Sequence, residues 1–234
     1  LGGSGSYAWG INSSGWVVGA AYASYGSLPK PFLYRDGQME DLLPNYGDAM
    51  FGEAQAINSS GAVVGFRNAS YGDRATLWQN GQVVDLGWGY ATAINDLGQI
   101  VGYVGTNANA QALLFQNGSA VNLGSLGGAV TRAFGINNSG WVVGMGWNSS
   151  QESRAFIYRQ GTLTNLNSLI APEQGWTLHE ARGVNASGQI VGWGTRAGDH
   201  YAHAFLLNPV TEPGSLAGLT LGFLLMKRFS RRRR

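Results

Sequence analysis

Five copies of one twelve-residue phrase leave few architectures open to this chain. AWGINSSGWVVG at Ala8–Gly19, AQAINSSGAVVG at Ala54–Gly65, ATAINDLGQIVG from Ala91, AFGINNSGWVVG from Ala133 and ARGVNASGQIVG from Ala181 share the template A-x-[GA]-[IV]-N-x-x-G-x-[VI]-V-G. The phrase spells a β-hairpin. Asn favours the first position of a type I turn, and a Gly three residues later tolerates the positive φ that closes it. The short β-branched runs on either side suit a pleated, half-buried surface.

About 20 residues after each Ile (Val184 in the last copy) comes a second phrase: Pro-Phe-Leu-Tyr at Pro31, Ala-Thr-Leu-Trp at Ala75, Ala-Leu-Leu-Phe at Ala112, Ala-Phe-Ile-Tyr at Ala155 and Ala-Phe-Leu-Leu at Ala204. In the first four copies it runs through a polar turn ending in Gly (Asp36-Gly37, Asn80-Gly81, Asn117-Gly118, Gln160-Gly161) into a short strand ending at Leu42, Leu86, Leu123 or Leu166. Asp-Gly or Asn-Gly between apolar runs is the strongest short-range hairpin signal. Each repeat therefore reads as two hairpins, or four strands. Successive Ile-Asn or Val-Asn pairs are 46, 37, 42 and 48 residues apart, the period of a propeller blade rather than of a two-helix solenoid. A lone hairpin is marginal in water, so such repeats gain stability by stacking.

Within the first strand, Ala8 and Gly10, Ala54 and Ala56, Ala91 and Ala93, Ala133 and Gly135, and Ala181 and Gly183 stand two apart. Period 2 places each pair on one face, as expected of an innermost strand where only small residues leave room. Tyr34, Trp78, Phe115 and Tyr158 are expected to fill wider space between blades, each burying ~1.5–3 kcal/mol of apolar surface. The fifth repeat stops at Pro209 after three strands, and an N-terminal segment is the expected donor of the fourth.

Composition narrows the class further. Gly is 37 of 234 residues without a collagen period, which assigns it to turns, and 44% apolar content is that of a folded chain. The absence of Cys excludes disulfides and thiolate metal sites. Six of the 15 cations (Lys227, Arg228, Arg231, Arg232, Arg233 and Arg234) lie in the last eight positions; residues 1–210 carry nine cations against twelve acids, a balance of −3. A mildly acidic body lacks the clustered cations a nucleic-acid surface needs, so no nucleic-acid partner is expected.

The paired phrases resemble the HAF-repeat family of bacterial extracellular proteins, named for a His-Ala-Phe triplet that stands here as His203-Ala204-Phe205. Lys30, Arg74, Gln111 and Arg154 take the His position in the other copies. The resemblance covers about residues 1–209 and implies a repeat architecture and an extracellular location, with no activity attached.

From Val210 the composition changes to Thr-Glu-Pro-Gly-Ser, an apolar run Leu216–Met226, and the basic end. This segment resembles a PEP-CTERM sorting signal: Glu212 and Pro213 match its motif, and Thr211 replaces its first Pro. The resemblance implies an exosortase-type processing enzyme as partner and a transient anchor in the inner membrane. Leu216, Leu219, Leu221, Phe223, Leu224, Leu225 and Met226 would form a short membrane-associated helix, with Lys227, Arg228 and Arg231–Arg234 as its basic stop. Eleven apolar residues fall short of the ~20 that span a bilayer, so the cations matter as much as the hydrophobes. The positive end stays cytoplasmic, which puts the repeats outside.

Little in the chain reads as catalytic. His179-Glu180 is not a His-Glu-x-x-His zinc motif, and His200 and His203 fall on opposite faces of a strand. Asp36, Asp85 and Asp96 sit where turn chemistry already explains them. No cofactor is expected. Trp16 and Trp141, just after the turn Gly, are candidates for stacking on a sugar ring or for packing between blades. The expectation is thus an all-β chain: a β-propeller-like domain over 1–209 of about five four-stranded repeats beginning near 8, 54, 91, 133 and 181, and a sorting and anchoring segment over 210–234 with a short C-terminal membrane-associated helix. The expected role is that of an exported, non-enzymatic protein at the surface or in the matrix of a Gram-negative bacterium, binding a glycan or a protein. The alternatives are a polysaccharide-acting hydrolase or lyase and a purely structural matrix component.

Overall fold

Each of the first four repeats folds as a four-stranded antiparallel meander, because each of its phrases closes a hairpin and the loop between them is short. A computed structural model describes residues 3, 5–24, 27–44, 51–199, 201–210 and 222–225, the last four through their backbone only. The chain divides into two compact units, Leu1–Asn122 and Leu123–Arg234. The first unit holds three sheets: β1 (Ser6–Ile11), β2 (Val17–Tyr22), β3 (Pro29–Arg35) and β4 (Gln38–Asp41); β5 (Gly52–Ile57), β6 (Val63–Ala69), β7 (Gly72–Gln79) and β8 (Gln82–Trp88); and β9 (Tyr90–Ile94), β10 (Ile100–Val104), β11 (Gln111–Gln116) and β12 (Ser119–Asn122). The second holds two: β13 (Gly127–Ile136), β14 (Val142–Asn148), β15 (Ser153–Arg159) and β16 (Thr162–Asn165); and β17 (Trp176–Val184), β18 (Ile190–Arg196), β19 (His203–Val210) and β20 (Gly222–Leu225). Two short 3-10 turns, Leu166–Leu169 and Pro172–Gln174, connect the fourth sheet to the fifth.

The first hairpin of every repeat turns on its Asn. In the first copy the Gly15 N–H bonds the Asn12 carbonyl at 3.0 Å, and the Asn12 Oδ1 accepts from the N–H groups of Ser14 and Trp16, both at 3.0 Å. Gly15 takes φ +77°, a type I turn followed by a left-handed residue. The side-chain amide does something the sequence did not disclose: it reaches the next repeat. Asn12 Nδ2 donates to the Asn58 carbonyl at 3.1 Å, Asn58 Nδ2 to the Asn95 carbonyl at 3.2 Å, and Asn137 Nδ2 to the Asn185 carbonyl at 2.9 Å. The second hairpins are type I′ turns, with both central residues at φ between 49° and 80° in all four Xaa-Gly pairs.

The cores lie between consecutive sheets. Val18, Leu33 and Leu43 of the first repeat close on Ala54, Ile57, Val63 and Trp78 of the second. Val64 and Ala75 close likewise on Ala91, Ile94 and Ile100. In the second unit, Val143 and Ile157 meet Ala181, Ile190 and Leu207, with Leu166 and Ile170 from the connection sealing one side.

Three expectations need correction. The paired small residues do not share a face, because a β-bulge stands between them: Ala54 pairs with Gly65 and Ala56 with Val64, leaving Gln55 as the extra residue. The alternation therefore shifts, and Ala54 enters the core before its sheet while Ala56 packs into the core after it. The fourth strand of the fifth sheet comes from the C-terminal segment rather than the N-terminal one: β20 pairs with β19 through Leu207–Leu225, Asn208–Leu224, Pro209–Phe223 and Val210–Gly222. For the same reason Phe223, Leu224 and Leu225 are not helical. They complete backbone hydrogen bonds that the open edge of β19 offers, and among the described residues no helix is long and apolar enough to cross a membrane.

The buried Asn58 should carry more stability than its exposed counterpart Asn185, whose Nδ2 bonds Gln189 of its own turn. Asn58→Ala removes the bonds from the Ala62 N–H and the Ser60 hydroxyl as well as the bond to Asn95, a loss of about 2–4 kcal/mol, against about 1 kcal/mol for Asn185→Ala. Equilibrium urea unfolding of both variants checks the difference.

Candidate functional site

Residues of the first and second sheets line a cavity of about 650 Å³. The pleat of the β3–β4 hairpin sets Leu33 opposite Glu40 and leaves Arg35 two residues along the same face. Arg35 bonds Glu40 at 3.2 Å, and its guanidinium carbon lies 5.3 Å from the centroid of the Trp16 ring. On the opposite wall the β7–β8 turn contributes the amides of Gln79, Asn80 and Gln82. Trp78 lines the cavity at 4% exposure, and its indole N–H has no hydrogen-bond partner among the described residues, a cost of about 1–3 kcal/mol. Both acids at the rim are engaged, Glu40 with Arg35 and Asp41 with the Leu43 N–H at 2.8 Å. An indole, a guanidinium and several amides around an apolar floor form a surface that stacks on and hydrogen-bonds a polar ligand.

A second depression of about 370 Å³ lies on the second sheet beside Tyr71 and Trp88. There Asp85 takes Arg67 at 2.9 Å and a two-pronged contact from Arg74, whose guanidinium sits 4.4 Å from the Trp88 ring centroid. Burial pushes the Asp85 carboxyl up, but hydrogen bonds from Arg74 and the Gly87 N–H, with the charges of Arg74 and Arg67, outweigh it and hold the group below its ordinary value of 3.8.

Trp16 and Trp141 occupy equivalent positions in their junctions. A Cβ added to Gly61 would lie 2.6 Å from Cζ3 of Trp16, and one added to Gly188 2.6 Å from Cζ3 of Trp141, so each indole lies across the turn glycine of the following repeat. The guanidinium carbon of Arg159 lies 5.7 Å from the Trp141 ring, as that of Arg35 does near Trp16. Only Trp16 also lines the large cavity. His179 bridges the Ser153 carbonyl and the Thr195 hydroxyl and stacks on Trp193 at 4.9 Å, while His203 bonds Asp199 at 2.6 Å. Among the described residues no three His, Cys, Asp or Glu side chains gather as a metal site. Of the sorting residues, Glu212, Pro213, Leu216, Leu219, Leu221, Met226, Lys227, Arg228, Arg231, Arg232, Arg233 and Arg234 lie outside the described residues, as does His200. The cavity itself is not legible in the local pattern of residues. Its one trace is that the Trp at the turn position of the first repeat faces a junction whose other side also carries a Trp, and that becomes visible only once the neighbours across the junction are known.

Four-stranded meanders packed face to face in sequence order within each unit place the fold in the β-propeller class. The chain is similar to the solved structure of TolB from Acinetobacter baumannii, with a TM-score of 0.59 and 13% identity over 87% of this chain and 52% of that one. It therefore spans about half the length of TolB, and the likeness is one of fold. It is also similar to an acylaminoacyl peptidase from Pyrococcus horikoshii, with a TM-score of 0.46 and 13% identity over 89% of this chain and 33% of that one. No protein-family model matches the sequence, and no curated protein matches it.

Two predictions follow from these contacts. Gly61→Ala and Gly188→Ala should each cost about 1–3 kcal/mol more than Gly15→Ala or Gly98→Ala in urea unfolding. All four share the positive-φ strain, but an added methyl meets an indole only in the first pair. For Asp85, a carboxyl lowered in the folded state stabilises the fold above its unfolded pKa and loses that effect as pH falls through the folded value. The urea midpoint of Asp85→Asn should therefore lie below that of the unmodified chain at pH 6, and the gap should close as pH drops below 3.8.

Proposed function

We propose that the chain is an exported, non-enzymatic binding protein that presents the cavity between its first two sheets to a glycan, and that its C-terminal segment is a processing and anchoring signal holding it at the cell surface or in the extracellular matrix. The cavity carries the binding half of this reading. A half-buried indole beside a paired guanidinium, facing three amides across an apolar floor, offers a stacking platform and directional hydrogen bonds together. The carboxylates at its rim serve the protein's own hydrogen bonds, which suits recognition better than acid–base chemistry. The composition and order of residues 210–234 support the export half.

A glycan array probed with the full chain, followed by titration monitored through tryptophan fluorescence, tests the binding. Arg35→Ala and Gln82→Ala should each weaken binding about tenfold, equivalent to about 1.4 kcal/mol. Binding that both variants leave intact would remove the cavity from the function, and release of new reducing ends from the glycan would turn the reading to a hydrolase. Mass spectrometry of the mature protein's C-terminus tests the sorting reading, which an intact Arg234 on the surface form would contradict.

A further inference from the structure

The His position of the second phrase, held by Lys30, Arg74, Gln111, Arg154 and His203, pairs in each repeat with one residue of the second strand. That partner is Ala21, Val104, Gly146 or Gly194 in four repeats and Arg67 in the second. Two cations directly opposite repel one another, a cost that the other four repeats avoid with a small or apolar partner. The fourth strand of the second repeat is built around this pair. Where β4, β12 and β16 stop opposite Phe32, Leu113 and Phe156, β8 runs two positions further and pairs Trp88 with Arg74. A bulge at Leu86, between the Thr76–Asp85 and Ala75–Gly87 pairs, carries it there.

Arg67, Arg74 and Trp88 thus stand in one row across three strands, with Asp85 bonded to both guanidiniums. The β6–β7 turn closes the row: a Cβ added to Gly72 would come within 3.3 Å of the Trp88 ring, and Tyr71 beside it is 90% exposed. The charged side chains lining the depression are two guanidiniums and one carboxylate, a balance of 2 − 1 = +1. Arg74 spends its Nε–Nη2 edge on Asp85, and among the described residues its Nη1 donates no hydrogen bond. The edge between Nη1 and Nη2 is therefore a second fork of the shape that takes a carboxylate. Asp85, which accepts from Arg67, Arg74 and the Gly87 N–H, fixes the guanidinium that carries this fork. Beside it Trp88 is 48% exposed, so with Tyr71 two aromatic surfaces are open to the C–H face of a ring.

We infer that this depression is a subsite for a sugar acid: the carboxylate of a uronate-type residue docks on the Nη1–Nη2 edge of Arg74, and its pyranose ring lies against Tyr71 and Trp88. The ligand's charge offsets the cation that Asp85 leaves uncompensated, and the rings select a sugar over a bare anion. A volume of about 370 Å³ suits one sugar residue rather than a long segment of chain. The depression shares no lining residue with the cavity of Trp16 and Arg35, so the inference stands whether or not that cavity binds a glycan.

Isothermal titration of the full chain with methyl β-D-glucuronide, its methyl ester and methyl β-D-glucoside tests the subsite. The glucuronide should bind, less tightly as salt rises, and the two uncharged compounds should bind about tenfold more weakly or not at all. Arg74→Gln removes the fork while Asp85 keeps its bonds from Arg67 and the Gly87 N–H, and Tyr71→Ala removes an exposed ring on which the fold does not depend. Each should weaken glucuronide binding about tenfold with the circular dichroism spectrum unchanged. Equal affinity for the glucoside, or no binding of the glucuronide by the folded chain, would overturn the inference. Binding lost in Arg35→Ala and kept in Arg74→Gln would also overturn it, by moving the ligand to the larger cavity. So would tighter binding of an acetylated glutamate peptide that Arg74→Gln abolishes, which would assign the depression to an acidic protein partner.

Discussion

The amide of the turn asparagine is the contact on which the repeat arrangement depends. Its Oδ1 holds the hairpin that makes a repeat, and its Nδ2 holds that repeat to the next, so one side chain couples local folding to stacking. Aspartate could serve the first task but has no N–H for the second, and serine is too short to reach the next carbonyl. This double use is made at Asn12, Asn58 and Asn137, while the amides of Asn95 and Asn185 donate to Gln99 and Gln189 of their own turns. It also makes stacking cooperative, since a loosened hairpin loses its hold on its neighbour at the same time.

The bulge works alongside that contact. A regular strand would turn Ala54 and Ala56 the same way and leave one junction without its small residue. One inserted residue turns them opposite ways, so β5 offers a slim side chain to the sheet before it and another to the sheet after it. The glycine that closes the turn then meets the neighbouring repeat as well: where that neighbour carries Trp16 or Trp141, the absence of a Cβ leaves room for the ring. Local turn chemistry and packing between repeats thus fall on the same few positions, which keeps the phrase short and strict while the loops between phrases drift in length.

The strands, both hairpins and the repeat period were legible in the sequence because turn residues and alternation are local signals. Asn12, Gly15 and Asp36-Gly37 announced their turns, and Leu33 and Tyr34 their strand. What could not be read is whatever depends on which residue lies across a junction: the reach from Asn12 to Asn58, the indole over Gly61, and the cavity where Arg35 and Trp16 face Gln82. The bulge was missed because the spacing of two between small residues matches regular alternation, and nothing in Gln55, Thr92 or Arg182 marks an inserted residue. The resemblance to a sorting signal implies a helix for the apolar run near the C-terminus, but Gly222–Leu225 is short enough for an open strand edge to decide its conformation.

That last strand sets two uses of one segment against each other. In the first sheet β4 pairs with β3 from Phe32 onward, whereas β20 begins its pairing with β19 at Leu207, two positions later than the equivalent Phe205. It joins the sheet through a long connection rather than a tight turn, and Pro209 within its partner brings no N–H to the ladder. Such a strand adds the net value of a few backbone hydrogen bonds, each about 0.5–1.5 kcal/mol, and lacks the type I′ turn that secures β4, β8, β12 and β16. A backbone paired edge to edge with β19 cannot at the same time satisfy its own groups inside a bilayer, where a lone segment must be helical. Membrane insertion of the segment therefore requires release of β20, and the edge of β19 is then left with unpaired groups.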